Sequence, residues 1–190
     1  MQLLKDTILK KGYIKEDNIL KVDSFLNHQL EIPLLDEIGK EFKRRFESKN
    51  VTKILTIESS GIAIAALAAK HFNVPVVFAK KTKSKNLDGN TYKTKVYSFT
   101  KDKEYTVQVS KKYLSKKDNV LVLDDFLAKG KASLGLIDIL NKAQANLAGV
   151  GIVIEKGFQE GGKKLRKQGI HLESLAIVKD FKKGKINFRN

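Results

Sequence analysis

The chain has 190 residues, 42% hydrophobic and 31% charged, with no cysteine, which fits one globular domain and excludes disulfides and thiolate metal sites. Lys and Arg outnumber Asp and Glu by 37 to 21, a formal charge of +16 that favours polyanionic ligands, nucleic acid or a substrate such as a phosphorylated sugar among them, or simply a lysine-rich surface.

The first six residues lack the apolar core of a secretory leader. No apolar run approaches the ~20 residues that span a bilayer, so a cytoplasmic location without membrane contact is expected. Residues 1–30 are only weakly periodic, and 23–28 read as a structured loop. From Pro33 the spacing of Leu34, Leu35, Ile38, Phe42 and Phe46 predicts a helix. A β-branched run over 51–57 predicts a strand, broken by Glu58-Ser59-Ser60-Gly61, and an Ala-rich apolar stretch over 62–72 predicts a buried helix. A second strand is expected over 74–79. Residues 80–91 are polar and carry an Asp88-Gly89-Asn90 turn signal, which suits a mobile loop. Paired strands should follow over 92–99 and 105–109, then a buried strand over 119–123, a helix over 131–147 and a strand over 150–154. A short basic helix over 161–168 and a late strand over 172–178 complete the pattern. Strands alternating with helices predict an α/β fold with a mainly parallel sheet, whose ligands bind beyond the carboxyl ends of the strands.

The richest segment is 120–132, Val-Leu-Val-Leu-Asp-Asp-Phe-Leu-Ala-Lys-Gly-Lys-Ala. A buried strand runs into two carboxylates, then a loop with one glycine, then a helix start. Unpaired N–H groups and the positive end of a helix dipole suit a phosphate. Gly130 lets the backbone approach it closely, and Lys129 and Lys131 add charge. Asp124 and Asp125 can accept hydrogen bonds from vicinal hydroxyls or hold a hydrated Mg2+. Helix capping by the same aspartates is the plainer alternative.

This segment resembles the phosphoribosyl pyrophosphate (PRPP) motif of the type I phosphoribosyltransferases. There a hydrophobic strand enters two acidic residues, two apolar ones, a small residue, Thr, Gly and a final Thr. The match holds through Ala128 and departs at Lys129 and Ala132. The resemblance implies that family's fold in a single domain over 1–190: a mainly parallel twisted sheet flanked by helices, a small N-terminal hood over about 1–33, and a flexible β-loop lid over about 82–100. It implies Asp124 and Asp125 as the catalytic carboxylates, and Ala128, Lys129, Gly130, Lys131 and Ala132 as the cradle of the PRPP 5-phosphate. Ser59 and Ser60 in the turn after the first core strand, with Lys80 and Lys81 after the next, are then the pyrophosphate contacts. The segments 20–29 and 153–156 are similar to members of the family that take xanthine, which implies Leu20, Asn27 and Lys156 as base contacts. A lysine and an amide both donate to the carbonyl oxygens of xanthine; the amino group of adenine would face the lysine as a second donor. Also implied are Mg2+ bound through PRPP and not by protein ligands, no organic cofactor, and a homodimer.

Guanine or hypoxanthine as the base stays open, because a lysine suits any 6-oxopurine. So does a PRPP-sensing, nucleic-acid-binding regulator without catalysis, although the charge excess is lysine and only Arg44, Arg45, Arg166 and Arg189 could make bidentate base contacts. Residues 157–164 nearly spell a nucleotide P-loop, but Lys164 stands where a hydroxyl must hold Mg2+. His28, His71 and His171 show no ligand spacing.

Overall fold

The apolar runs fold as strands and helices in nearly the expected order. The computed structural model describes residues 1–15, 19–81, 90–98, 103–182 and 184–189. The chain begins with α1 (Gln2–Lys11), the short hairpin strands β1 (Tyr13–Lys15) and β2 (Ile19–Lys21), a π-helical turn over Asp23–Asn27, and α2 (Ile32–Arg45). Next come β3 (Lys53–Ile57), α3 (Ser60–Phe72), β4 (Val76–Ala79) and an antiparallel hairpin of β5 (Thr91–Ser98) with β6 (Lys103–Ser110). The last part is β7 (Asn119–Leu127), α4 (Lys131–Ala143), β8 (Asn146–Lys156), α5 (Gly161–Lys167), β9 (Leu172–Lys182) and β10 (Lys185–Phe188).

The central sheet has the order β10-β9-β8-β7-β3-β4 and is parallel except for β10. Along β7, Leu121 and Leu123 join the core shared with α2 and α3, while Val120 and Val122 join the core shared with α4. That alternation is what a strand covered on both faces requires. Phe42, with no exposed surface, anchors the α2 side; removing such a ring costs roughly 3–5 kcal/mol. The chain passes from β3 outward to β4, then returns to lay β7 on the other side of β3. The crevice for a ligand therefore opens at the carboxyl ends of β3 and β7.

Several elements differ from the sequence expectation. Residues 2–11 are helical although their periodicity is weak, because only Leu4 and Ile8 are buried while Leu3 and Leu9 stay exposed. The helix expected over 131–147 stops at Ala143, where Gln144 turns left-handed (φ 56°), and Leu147 belongs to β8. β7 continues through both aspartates to Leu127, pairing Asp124 with Ile152 and Leu127 with Glu155. The strand β10 had no sequence signal. Of the lid expected over about 82–100, residues 82–89, 99 and 100 lie outside the described residues. Its described part, β5, pairs with β6 and rests on α4, where Gly135 leaves room for the Val96 side chain.

Candidate active site

The turn after β7 is shaped by a left-handed glycine. Gly130 has φ 78° and precedes α4 directly, a conformation that other residues adopt at a cost. Behind it, the Gly161 N–H donates to the Ala128 carbonyl at 3.0 Å. A Cβ on Gly161 would lie 2.7 Å from the Gly130 nitrogen, so α5 must start with a glycine to reach the loop. This is the physical use of the near-P-loop glycines.

A cavity of about 350 Å³ opens over this turn. All five residues from Ala128 to Ala132 line it, together with Lys156 at the end of β8. The sequence reading placed these six residues in one site, and the fold brings them to one wall. Phe126, Leu127, Ser133, Gln159 and the hairpin residues Val96, Tyr97 and Tyr105 complete the lining. None of these had been assigned to the site, though Tyr97 and Tyr105 stand out in the sequence as aromatics alternating with lysines. Phe126 could have been, since it directly follows the aspartate pair. The Lys156 ammonium lies 5.6 Å from the Phe126 ring centroid, within cation–π range. Burial lowers the Lys156 ammonium below the ordinary lysine value, against the opposing pull of the Asp125 carboxylate.

The two carboxylates face different neighbours. Asp124 is 6% exposed, and its Oδ1 would stand 3.3 Å from a Cβ placed on Gly61 at the start of α3. Asp124 therefore bridges β7 to the turn after β3. Burial first, then the adjacent Asp125 charge, pushes the Asp124 carboxyl well above the usual carboxylate range, while Lys81 pulls the other way. Lys81 also lies over the Tyr105 ring at 5.6 Å, and its backbone N–H donates to Glu58 Oε1 at 2.5 Å. Burial and then the Asp124 charge raise the Tyr105 phenol. Asp125 is half-buried, and its Oδ1 accepts from the Phe126 N–H at 2.9 Å.

The remaining residues do not line this cavity. Ser59 is exposed and Ser60 opens α3 after a cis Glu58–Ser59 peptide; the free N–H groups of that helix end suit an anion. Lys80 exchanges backbone hydrogen bonds with Gln108 and lines a separate hollow beside the edge strand β4, with Phe78 and Tyr113. The paired lysines thus diverge, and only Lys81 turns towards Asp124. Leu20, 5% exposed, packs into the α2–α3 core. Asn27 closes the π-helical turn, and its Oδ1 is buried without a hydrogen-bond partner among the described residues.

A family model described as Phosphoribosyl transferase domain matches residues 21–184. The chain belongs to the phosphoribosyltransferase family. This phosphoribosyltransferase is 60% identical, over the full length of both chains, to a xanthine phosphoribosyltransferase of Clostridium novyi (strain NT). It is 57% identical, again over both full lengths, to that of Clostridioides difficile (strain 630). Among solved structures, an adenine phosphoribosyltransferase from Giardia lamblia complexed with 9-deazaadenine shares the fold at a TM-score of 0.77 and 24% identity, covering 92% of this chain and 96% of its own. The Rhodothermus marinus adenine enzyme aligns at 0.75 and 18%, over 94% of this chain and all of its own. The type I fold expected from the sequence is thus the fold observed, with its parallel sheet and flanking helices.

Proposed function

We propose that this phosphoribosyltransferase joins xanthine to the ribose 5-phosphate of PRPP, releasing xanthosine 5'-monophosphate and pyrophosphate in purine salvage. The observation that carries the reading is the single cavity in which the 128–132 turn and Lys156 share one wall. The full-length likeness to enzymes named for xanthine supports the choice of base.

The 5-phosphate sits in the 128–132 turn, held by backbone N–H groups, the start of α4 and the charges of Lys129 and Lys131. The ribose then lies towards Asp124 and Asp125, whose oxygens accept its hydroxyl hydrogens. The base lies against Phe126 with a carbonyl oxygen on Lys156. Leu20 and Asn27 cap the base from the N-terminal hood; the buried Asn27 Oδ1, without a partner among the described residues, is the kind of acceptor that a base N–H satisfies. As the C1–oxygen bond to pyrophosphate breaks and the bond from C1 to the base nitrogen forms, positive charge grows on the sugar. The two carboxylates stabilise it, and fixed placement does most of the work. The proton of the base nitrogen leaves to solvent or is already absent in the xanthine anion. Lys81, Ser59, Ser60 and the start of α3 receive the pyrophosphate, while Lys80 faces the separate hollow beside β4.

Among the described residues no group of three or more His, Asp or Glu side chains converges to hold a metal by itself. The donor chemistry of the aspartate pair fits a hard cation that arrives with its own oxygen ligands. Mg2+ carried by PRPP would neutralise the departing pyrophosphate. The reading carries with it the homodimer of the family and a cytoplasmic location; no described helix is long and apolar enough to cross a membrane. Light scattering tests the first.

The deciding experiment is a spectrophotometric assay with PRPP, Mg2+ and one base at a time. Xanthine should be converted fastest. A preference for guanine or hypoxanthine would overturn the base assignment, and PRPP binding without turnover of any base would overturn the catalytic one.

A further inference from the structure

Glu155 is a charged group that the reaction does not use. It stands next to Lys156 at the end of β8 and is 2% exposed. Its Oε1 accepts from Arg166 Nη1 at 2.8 Å, and its Oε2 accepts from Arg166 Nη2 at 2.7 Å and from Ser174 Oγ at 2.6 Å. A buried carboxylate needs such partners to stay charged. Burial raises its pKa, and the Arg166 and Ser174 hydrogen bonds outweigh that and leave it below the ordinary glutamate value.

The pair also fixes a helix. A Cβ on Gly162 would collide with Glu155 Oε1, so α5 touches this carboxylate at two places, the Gly162 backbone and the Arg166 fork. One residue before Gly162, the Gly161 N–H holds the Ala128 carbonyl, and its Cα packs against Gly130. Besides the β7–β8 pairing of Leu127 with Glu155, the Glu155 side chain reaches the 128–132 turn through one short helix, held at one end by a bidentate ion pair and at the other by a backbone hydrogen bond. The Arg166 side chain is 40% exposed. Its partner Glu155 is buried, so losing Arg166 would strand a buried charge and cost stability, while the planar two-pronged contact also fixes orientation.

We propose that the Glu155–Arg166 pair is a positioning device. It presses α5 onto the 128–132 turn and so sets the span between the 5-phosphate and the base held by Lys156. The proposal rests on the reading of that turn as the 5-phosphate site.

The test is calorimetric titration with ribose 5-phosphate, alongside KM for PRPP and thermal melting. The proteins are the parent, Arg166→Gln, Arg166→Lys, Gly161→Ala, and the double variant of Arg166→Gln with Gly161→Ala. Arg166→Gln should weaken ribose 5-phosphate about 10-fold, since small misplacements in a preorganised site cost up to ~100-fold, and KM for PRPP should rise in step. Arg166→Lys should recover only part of this, because it keeps the charge and loses the fork. Gly161→Ala should weaken binding similarly. The double variant should lose less than the product of the two, as residues acting through one contact are not additive. Should Arg166→Gln fail to fold, Arg166→Lys carries the comparison alone. Variants that melt earlier yet bind ribose 5-phosphate like the parent overturn the proposal, as does a double variant showing the full product. A parent that binds no ribose 5-phosphate overturns the 5-phosphate reading, and this proposal with it.

Discussion

The two sides of the crevice are built on opposite terms. On the side of the 128–132 turn, polar groups are matched: Gly161 holds Ala128, Arg166 and Ser174 satisfy Glu155, and glycines stand where side chains would collide. On the side of β3, polar groups are left in tension. Asp124 is buried beside another carboxylate, and Thr56 Oγ1 is buried without a hydrogen-bond partner among the described residues. Under the proposed reaction this contrast has a chemical sense. The 5-phosphate is the same before and after transfer, so its seat can be finished in advance. The sugar and pyrophosphate change charge during transfer, and groups that are uncomfortable without a ligand can gain from that change.

The largest expected effect comes from breaking the tense side. Asp124→Asn should lower kcat/KM on the order of 10²–10³-fold, the scale of losing one preorganised charge contact. The same variant should melt no lower than the parent. An aspartate with a raised folded pKa loses stability as pH rises through that range, and the amide removes this cost at neutral pH. A parent melting well above the variant would make Asp124 a structural group.

Next in size is Lys156→Ala, which should raise KM for xanthine about 10–100-fold, the worth of a hydrogen bond to a charged group. KM for PRPP should stay within about 2-fold, because the turn keeps its own supports. In the parent, xanthine binding should weaken as pH rises, at a lower pH than an ordinary lysine would give, since burial lowers the Lys156 ammonium. Asn27→Ala should be smaller, about 5-fold in KM for the base, with little stability change because its buried oxygen has no partner to lose.

The smallest effect lies far from the crevice. The Glu41 carboxyl is lowered from 4.5 to about 2, first by hydrogen bonds from Arg44, then against burial by Arg45. A depressed carboxylate stabilises the fold above its unfolded pKa and loses that as pH falls through the folded one. Acid unfolding should therefore contain a contribution of about 1 kcal/mol, after solvent screening, that disappears between pH 4.5 and about 2. Glu41→Gln should flatten that part of the curve in pH-dependent urea melts.

Much of the fold was legible because it is written in short periods. The runs at 53–57, 119–123 and 150–154 announce strands by β-branching, and α2 announces itself by Leu34, Leu35, Ile38 and Phe42. The 128–132 turn was legible too, since its glycine, its lysines and the aspartates before it are contiguous in the chain. The first helix escaped because two buried residues in ten leave almost no period, and β10 because its pairing with β9 lends it a stability that its own residues do not advertise.

By itself, the sequence determined the order of strands and helices from α2 to β9, the place of the 128–132 turn and the absence of disulfide or thiolate chemistry. Those depend on neighbours within a few residues or on composition. Only the tertiary structure decided that Asp124 is buried against Gly61, that Lys80 and Lys81 part company, and that Glu155 reaches the 128–132 turn through Arg166 and α5. Burial, and the electrostatics that follow from it, arise when segments distant in the chain pack together, and no local period encodes which ones meet.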